Sequence, residues 1–157
     1  MKLGGREVIE SALAAVGEIL ALRGSPCSIV ILGGAALNLH GVVDRPTIDV
    51  DVLAREQAGT LIPPDPLPDA LRSAIAAIAH DRGFLEHWMN TAVAGHKLYA
   101  SADQTGPENV HVRDLLALRP TAVELDEAAE WVRRQDPSPG FHEILAKVVS
   151  YVDGALR

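Results

Sequence analysis

The sequence predicts an α+β fold, with a small sheet flanked by helices followed by a helical C-terminal half. Three observations carry this expectation. Apolar residues recur at helical spacing over several stretches. Two short segments carry strand patterns. Aromatic residues make up only 4% of a chain that is 48% hydrophobic. Alanine supplies much of the apolar content, which favours closely packed helices and argues against an aromatic platform for RNA bases. At 157 residues the chain fits a single domain, with 1–90 expected as its core and 91–157 as a helical part.

The elements follow in order. Ile9, Leu13, Val16 and Leu20 form one stripe of a helix over 6–23, which Gly24 and Pro26 stop. Ser28-Ile-Val-Ile-Leu32 is a β-branched run and predicts a buried strand. Gly33-Gly34 ends it, and a short helix over 35–40 follows, capped by Gly41. From Thr47 to Leu53, Ile48, Val50 and Val52 alternate with Thr47, Asp49 and Asp51, the pattern of a strand with one apolar and one acidic face. Residues 54–68 contain four prolines and predict a loop.

A second amphipathic helix is expected over 69–82, with Leu71, Ile75 and Ile78 inward and Gly83 as its stop. Phe84 to Met89 predicts a further helical turn, and 91–102 a helix weakened by Gly95. After a turn over 103–109, Val112 to Leu118 predicts a short helix halted by Pro120. Thr121-Ala-Val-Glu124 is a capping box that opens a helix to Gln135. The last helix runs from Phe141 to Leu156, with Phe141, Leu145, Val148 and Val152 on one face. Trp88 and Trp131 are expected to anchor helix packing. Two clear strands leave an open edge, and open edges invite pairing, so a homodimer that completes or covers the sheet is expected.

Composition narrows the function classes. The net charge of −7 and pI of about 5.3 oppose a broadly basic nucleic-acid clamp. A single cysteine, Cys27, excludes an internal disulfide framework and any multi-cysteine zinc site. Charged residues near the N-terminus argue against a signal peptide. The uncharged run Gly24–Val43 contains Pro26, Asn38, His40 and four glycines, so it predicts strand, turn and helix rather than a membrane span. A cytoplasmic protein without membrane contact is expected.

The segment with the most chemical content is Ile29 to Leu53. Asp49 and Asp51 stand two apart on the predicted strand, so both side chains leave one face, roughly 6–7 Å apart at the backbone. Two carboxylates so placed can converge on Mg²⁺, which takes hard oxygen ligands; taken alone they also fit a solvated strand face. Gly33-Gly34 between strand and helix lets a ligand approach the backbone, and also fits a tight turn. Arg45 and Thr47 precede the acidic strand. Arginine is a natural fork for phosphate, although alone Arg45 reads first as a surface partner of Asp44. His40 suits a helix C-terminus better than a catalytic role.

Taken together, strand, glycine turn, short helix and an Asp-x-Asp strand resemble the nucleotidyltransferase superfamily related to DNA polymerase beta. More narrowly, GGAALNLHG followed by DRPTIDVDVL resembles the small bacterial subgroup that includes AbiEii-type toxins of toxin–antitoxin systems. The 14 residues between Gly34 and Asp49 are usual for that subgroup. Downstream, Lys97-Leu-Tyr-Ala-Ser-Ala-Asp-Gln104, His111 and Asp114-Leu115 resemble its helical motif. Lys97 is one of only three lysines beside eleven arginines, and otherwise fits a surface lysine lying along an apolar helix face.

The resemblance implies a reduced nucleotidyltransferase-like core with a small mixed sheet. It implies Mg²⁺ or Mn²⁺ on Asp49 and Asp51 and an NTP held by Gly33, Gly34, Arg45, Thr47 and Lys97. It further implies nucleotide transfer to an RNA, such as tRNA, or to a protein acceptor, with an antitoxin protein as a partner. This chain departs from the pattern in its middle. Only Thr91 to His96 separate Asn90 from Lys97, where relatives carry further strands and a third carboxylate. No apolar–acid–apolar strand follows Leu53. The alternative is therefore a catalytically degenerate relative that binds nucleotide or a partner protein without turnover.

Overall fold

The computed structural model describes residues 3–92, 109–135 and 138–157. Lys97, most of the helix expected over 91–102 and all but Asn109 of the turn expected after it lie outside the described residues. The fold is α+β, with six helices among the described residues, a small four-stranded sheet and a helical C-terminal half. The chain divides into two compact units, Met1–Gly95 and His96–Arg157.

In the first unit, α1 (Gly5–Leu22) buries Ile9, Val16 and Leu20 of the predicted stripe, with Ala12 fully buried and Leu13 only partly so. β1 (Ser28–Leu32) leads directly into α2 (Gly33–Leu39), which takes up both glycines as its first turn and so starts two residues before the expected Ala35. The helix ends in a Schellman motif. Gly41 N–H donates to Asn38 O and Val42 N–H to Leu37 O, both at 2.9 Å, and Gly41 supplies the positive φ of +71° that this ending requires.

β2 spans Val50–Gln57, later at both ends than the Thr47–Leu53 strand that alternation predicts. The cause at the front is tertiary. Thr47 pairs with Leu3 through two backbone hydrogen bonds, 2.9 and 3.0 Å long. Thr47 is thereby buried and Ile48 is 55% exposed, the reverse of the expected faces. From Val50 the alternation holds, with Val50, Val52 and Ala54 in the core.

The expected loop over 54–68 contains a hairpin instead. Ala58 (φ 52°) and Gly59 (φ +78°) make a two-residue turn into β3 (Thr60–Ile62). Positive φ at both positions matches the right-handed twist of the flanking strands. α3 (Asp69–Arg82) has the predicted bounds, and Gly83 closes it in the left-handed conformation. The helical turn expected over 84–89 is replaced by a turn into β4 (Met89–Asn90).

β1 runs antiparallel along one edge of β2. β3 pairs antiparallel and β4 parallel on the opposite edge, at different ends. Leu53 falls between the paired Val52 and Ala54, a bulge that re-aims the end of the β1–β2 ladder. Trp88 packs its ring against Phe84 and, with Leu3, Ile9, Leu71, Val50 and Val52, fills the core of this unit.

In the second unit, α4 (Val110–Leu118) begins two residues earlier than predicted, because Asn109 caps it by accepting from His111 N–H at 2.8 Å. Asp114 therefore lies in the second turn, where it is buried. α5 (Ala122–Gln135) and α4 both pack on α6 (Pro139–Leu156), which buries Phe141 and Val152. Pro139 begins α6, where a missing N–H costs nothing. Trp131 is 52% exposed instead of anchoring the packing. The buried residues of α5 are Leu125 and Ala129, and a step of two from Ala129 carries Trp131 round to another face. Among the described residues no helix is long and apolar enough to cross a membrane.

The capping box of α5 forms as predicted. Thr121 N–H and Oγ1 both donate to Glu124 Oε2 at 2.8 Å, and Glu124 N–H donates back to Thr121 Oγ1 at 3.3 Å. The backbone hydrogen bond first, and then the hydroxyl, hold the Glu124 carboxyl below its usual range. A lowered pKa means that the ionised cap stabilises the folded helix at neutral pH. That contribution is lost as pH falls through the lowered value. NMR titration of the Thr121 amide is expected to show this transition at a pH below the ordinary glutamate range, and Glu124→Gln to abolish it.

Candidate phosphate and metal site

The register of the sheet brings the predicted residues together. Leu32 pairs with Asp51 across the β1–β2 ladder, so Gly33, the next residue, arrives beside the Asp51 carboxylate. A Cβ built on Gly33 would stand 3.1 Å from Asp51 Oδ2, and the backbone there has φ +73°. The positive φ favours glycine, and the close approach leaves little room for a side chain. Gly34 faces the loop between α2 and β2. A Cβ there would stand 3.2 Å from Arg45 Nη2 and 3.2 Å from Thr47 Oγ1. The bare backbone of the two glycines thus abuts a carboxylate on one side and a guanidinium with a hydroxyl on the other. Asp44 turns away from this group, with its Oδ1 beside Gly5 at the start of α1.

Asn38 builds the Arg45 side of the site. It is 0% exposed on α2. Its Nδ2 donates to Gly34 O at 2.7 Å and Arg45 O at 3.0 Å, and its Oδ1 accepts from Arg45 N–H at 3.3 Å. One side chain therefore clamps the glycine turn to the loop that carries the arginine. Thr47 is fixed by its bridge to Leu3, and its hydroxyl donates to Asp49 O at 3.3 Å.

Asp49 immediately precedes β2 rather than lying on the strand, and Asp51 is on the strand; both are half-buried. Val50 and Val52 enter the core between and after them, so the two carboxylates keep the predicted two-residue alternation. β4 adds a third polar side chain. Asn90 is in register with Asp51 across the parallel pair, and its Nδ2 donates to Asp49 Oδ2 at 3.3 Å. Arg45 and Asp51 each make a further interaction beyond these contacts.

Gly33, Gly34, Arg45, Thr47, Asp49 and Asp51 thus gather in one place, within the first unit. Lys97 lies outside the described residues. His40 stands at the C-terminal end of α2, as expected, and takes the C-cap position one residue before Gly41. α2 has only seven residues, so its dipole is small and the positive charge of this group is that of Arg45.

Asn38 and Asn90 were missed by sequence reasoning. Asn38 left a signal, a lone amide inside the apolar helix Ala35-Ala-Leu-Asn-Leu39. Asn90 left none, because two residues of strand carry no period.

Two carboxylates offer the hard oxygens that Mg²⁺ takes, and the bare backbone of Gly33 lies close against one of them. The donor set of the two carboxylates therefore suits a hard divalent cation. Among the described residues, no group of three or more His, Cys, Asp or Glu side chains could hold a metal by itself. In comparisons with known proteins, no family model, curated protein or solved structure matches this chain.

Proposed function

We propose that this chain is a nucleotidyltransferase-like protein that binds an NTP with Mg²⁺ and transfers the nucleotide to an acceptor hydroxyl on RNA or protein. The observation that supports this most is the meeting of Gly33 with Asp51 and of Gly34 with Arg45 and Thr47. The arrangement agrees with the resemblance to the polymerase-beta-like superfamily and its AbiEii-type subgroup.

In this reading Asp49 and Asp51 hold the cation, which when bound supplies Lewis-acid neutralisation of phosphate charge. Arg45 donates its fork to phosphate oxygens, and the bare backbone at Gly34 lets them come close. Thr47 offers a hydroxyl on the same side. Asn38 keeps the arginine loop in place, so little reorganisation is needed when the triphosphate arrives. In the transfer itself, the acceptor oxygen bonds to the α-phosphorus, the α–β phosphoanhydride breaks, pyrophosphate leaves, and the hydroxyl proton passes to solvent. By the same resemblance Lys97 serves the phosphates.

One observation favours a second reading, nucleotide binding without turnover. The side chain that β4 sets against Asp49 is an amide and not a carboxylate, so it cannot accept the proton of an attacking hydroxyl.

A label-transfer assay separates the two. Purified protein is incubated with Mg²⁺ or Mn²⁺, each α-labelled NTP in turn, and cellular RNA with lysate protein. Label on RNA or protein with the wild type, and none with Asp49→Asn, is the expected result. No transfer by protein that still binds NTP supports the binding-only reading.

A further inference from the structure

Asn90 is the polar side chain that β4 adds to the carboxylate pair, and its orientation is fixed by chemistry. Ala92 N–H donates to Asn90 Oδ1 at 2.8 Å. A backbone N–H can only donate, so the oxygen of the amide faces Ala92 and the nitrogen faces the carboxylate of Asp49. Asn90 is also in register with Asp51, and neighbours in register project from the same face of a sheet. Asp49, Asp51 and Asn90 therefore share one side of the strand pair, with a neutral donor in the third place.

We propose that Asn90 sets the cation requirement of this site: its neutral amide limits the acidic side chains to two, so a divalent cation is held only together with the phosphates of a nucleotide. The inference rests on the nucleotide-binding reading above. Cation affinity in oxygen-ligand sites rises with the number of charged ligands, and two half-exposed carboxylates are few for an ion that prefers six oxygens. A nucleotide's phosphates supply the missing oxygens and negative charge. The amide also restrains Asp49 through a donated hydrogen bond, which orients one oxygen and leaves the other for the cation. Asn90 is a positioning residue, acting through Asp49.

The test is Mn²⁺ binding followed by electron paramagnetic resonance, with and without ATP, on the intact chain. Asn90→Asp is nearly the same shape and keeps an oxygen for Ala92 N–H, while adding a carboxylate oxygen beside Asp49. It is expected to bind Mn²⁺ alone on the order of tenfold or more tighter than the wild type. Asn90→Ala removes the amide without adding charge and is expected to show no such gain. The double variant Asn90→Asp, Asp49→Asn returns to two carboxylates and is expected to fall back to wild-type affinity for Mn²⁺ alone.

Equal affinity for Mn²⁺ alone in the wild type and Asn90→Asp overturns the proposal, as does an equal gain in Asn90→Ala. The nucleotide reading is judged separately, by whether the wild type takes up Mn²⁺ when ATP is added. Failure there removes the nucleotide half of the proposal even where Asn90→Asp gains affinity.

Discussion

Trp88→Ala is expected to lower the stability of the first unit by about 3–5 kcal/mol, a large share of what a domain of this size has. Trp88 is 0% exposed. Its ring lies 5.4 Å from that of Phe84 at a tilt of 53°, and its Nε1 donates to Ile75 O on α3 at 3.1 Å. Its backbone carbonyl accepts from Val50 N–H at 2.7 Å, which ties the start of β4 to β2. Truncation leaves a cavity between helix and sheet that the surrounding backbone cannot fill. Trp88→Phe keeps most of the volume and is expected to cost about 1–2 kcal/mol through lost packing and the lost hydrogen bond. Denaturant midpoints, followed by circular dichroism, check both. A loss below about 1 kcal/mol for the alanine variant would place Trp88 outside the core.

Asn38→Leu is expected to have the second largest effect, on both stability and binding. The substitution keeps the side chain's length but removes three hydrogen bonds, and leaves Arg45 O and Arg45 N–H without this partner. Part-buried polar groups left without partners cost about 1–3 kcal/mol each, less where water reaches them, so a total of roughly 2–4 kcal/mol is expected. The arginine loop is also released from α2, and a fork that must be ordered on binding loses affinity. ATP affinity in Mg²⁺ is therefore expected to fall about tenfold in protein that remains folded. Stability loss with unchanged ATP affinity would show that Asn38 serves the fold alone.

The sequence was most legible where one element carries its own signals. α3 has its apolar stripe, a first-turn acid and Gly83, and its bounds agree with the prediction to the residue. The capping box at Thr121 and the glycine ending of α2 are likewise local chemistry. Legibility failed where distant contacts decide. Thr47 is turned inward by Leu3, more than forty positions away, so the front of β2 could not follow from alternation. The β2–β3 turn uses Ala58 at positive φ, where asparagine or aspartate would have announced it, and the prolines after it disguised the return strand. β4 has two residues and exists through its pairing with β2.

The site divides in the same way. Glycines, acids, Arg45 and Thr47 are recognisable as residue types at a spacing. The amides that organise them, Asn38 and Asn90, acquire their roles only from partners brought in by the fold.

The most direct measurement is a calorimetric titration of the wild-type chain with ATP, in Mg²⁺ and again in excess EDTA, with Asp51→Asn alongside. Saturable binding in Mg²⁺ is predicted. Affinity should fall at least about tenfold when the cation is removed or Asp51 loses its charge. Absence of binding in Mg²⁺, or equal binding in EDTA and by Asp51→Asn, would contradict a nucleotide and metal site at Gly33, Gly34, Arg45 and the aspartate pair.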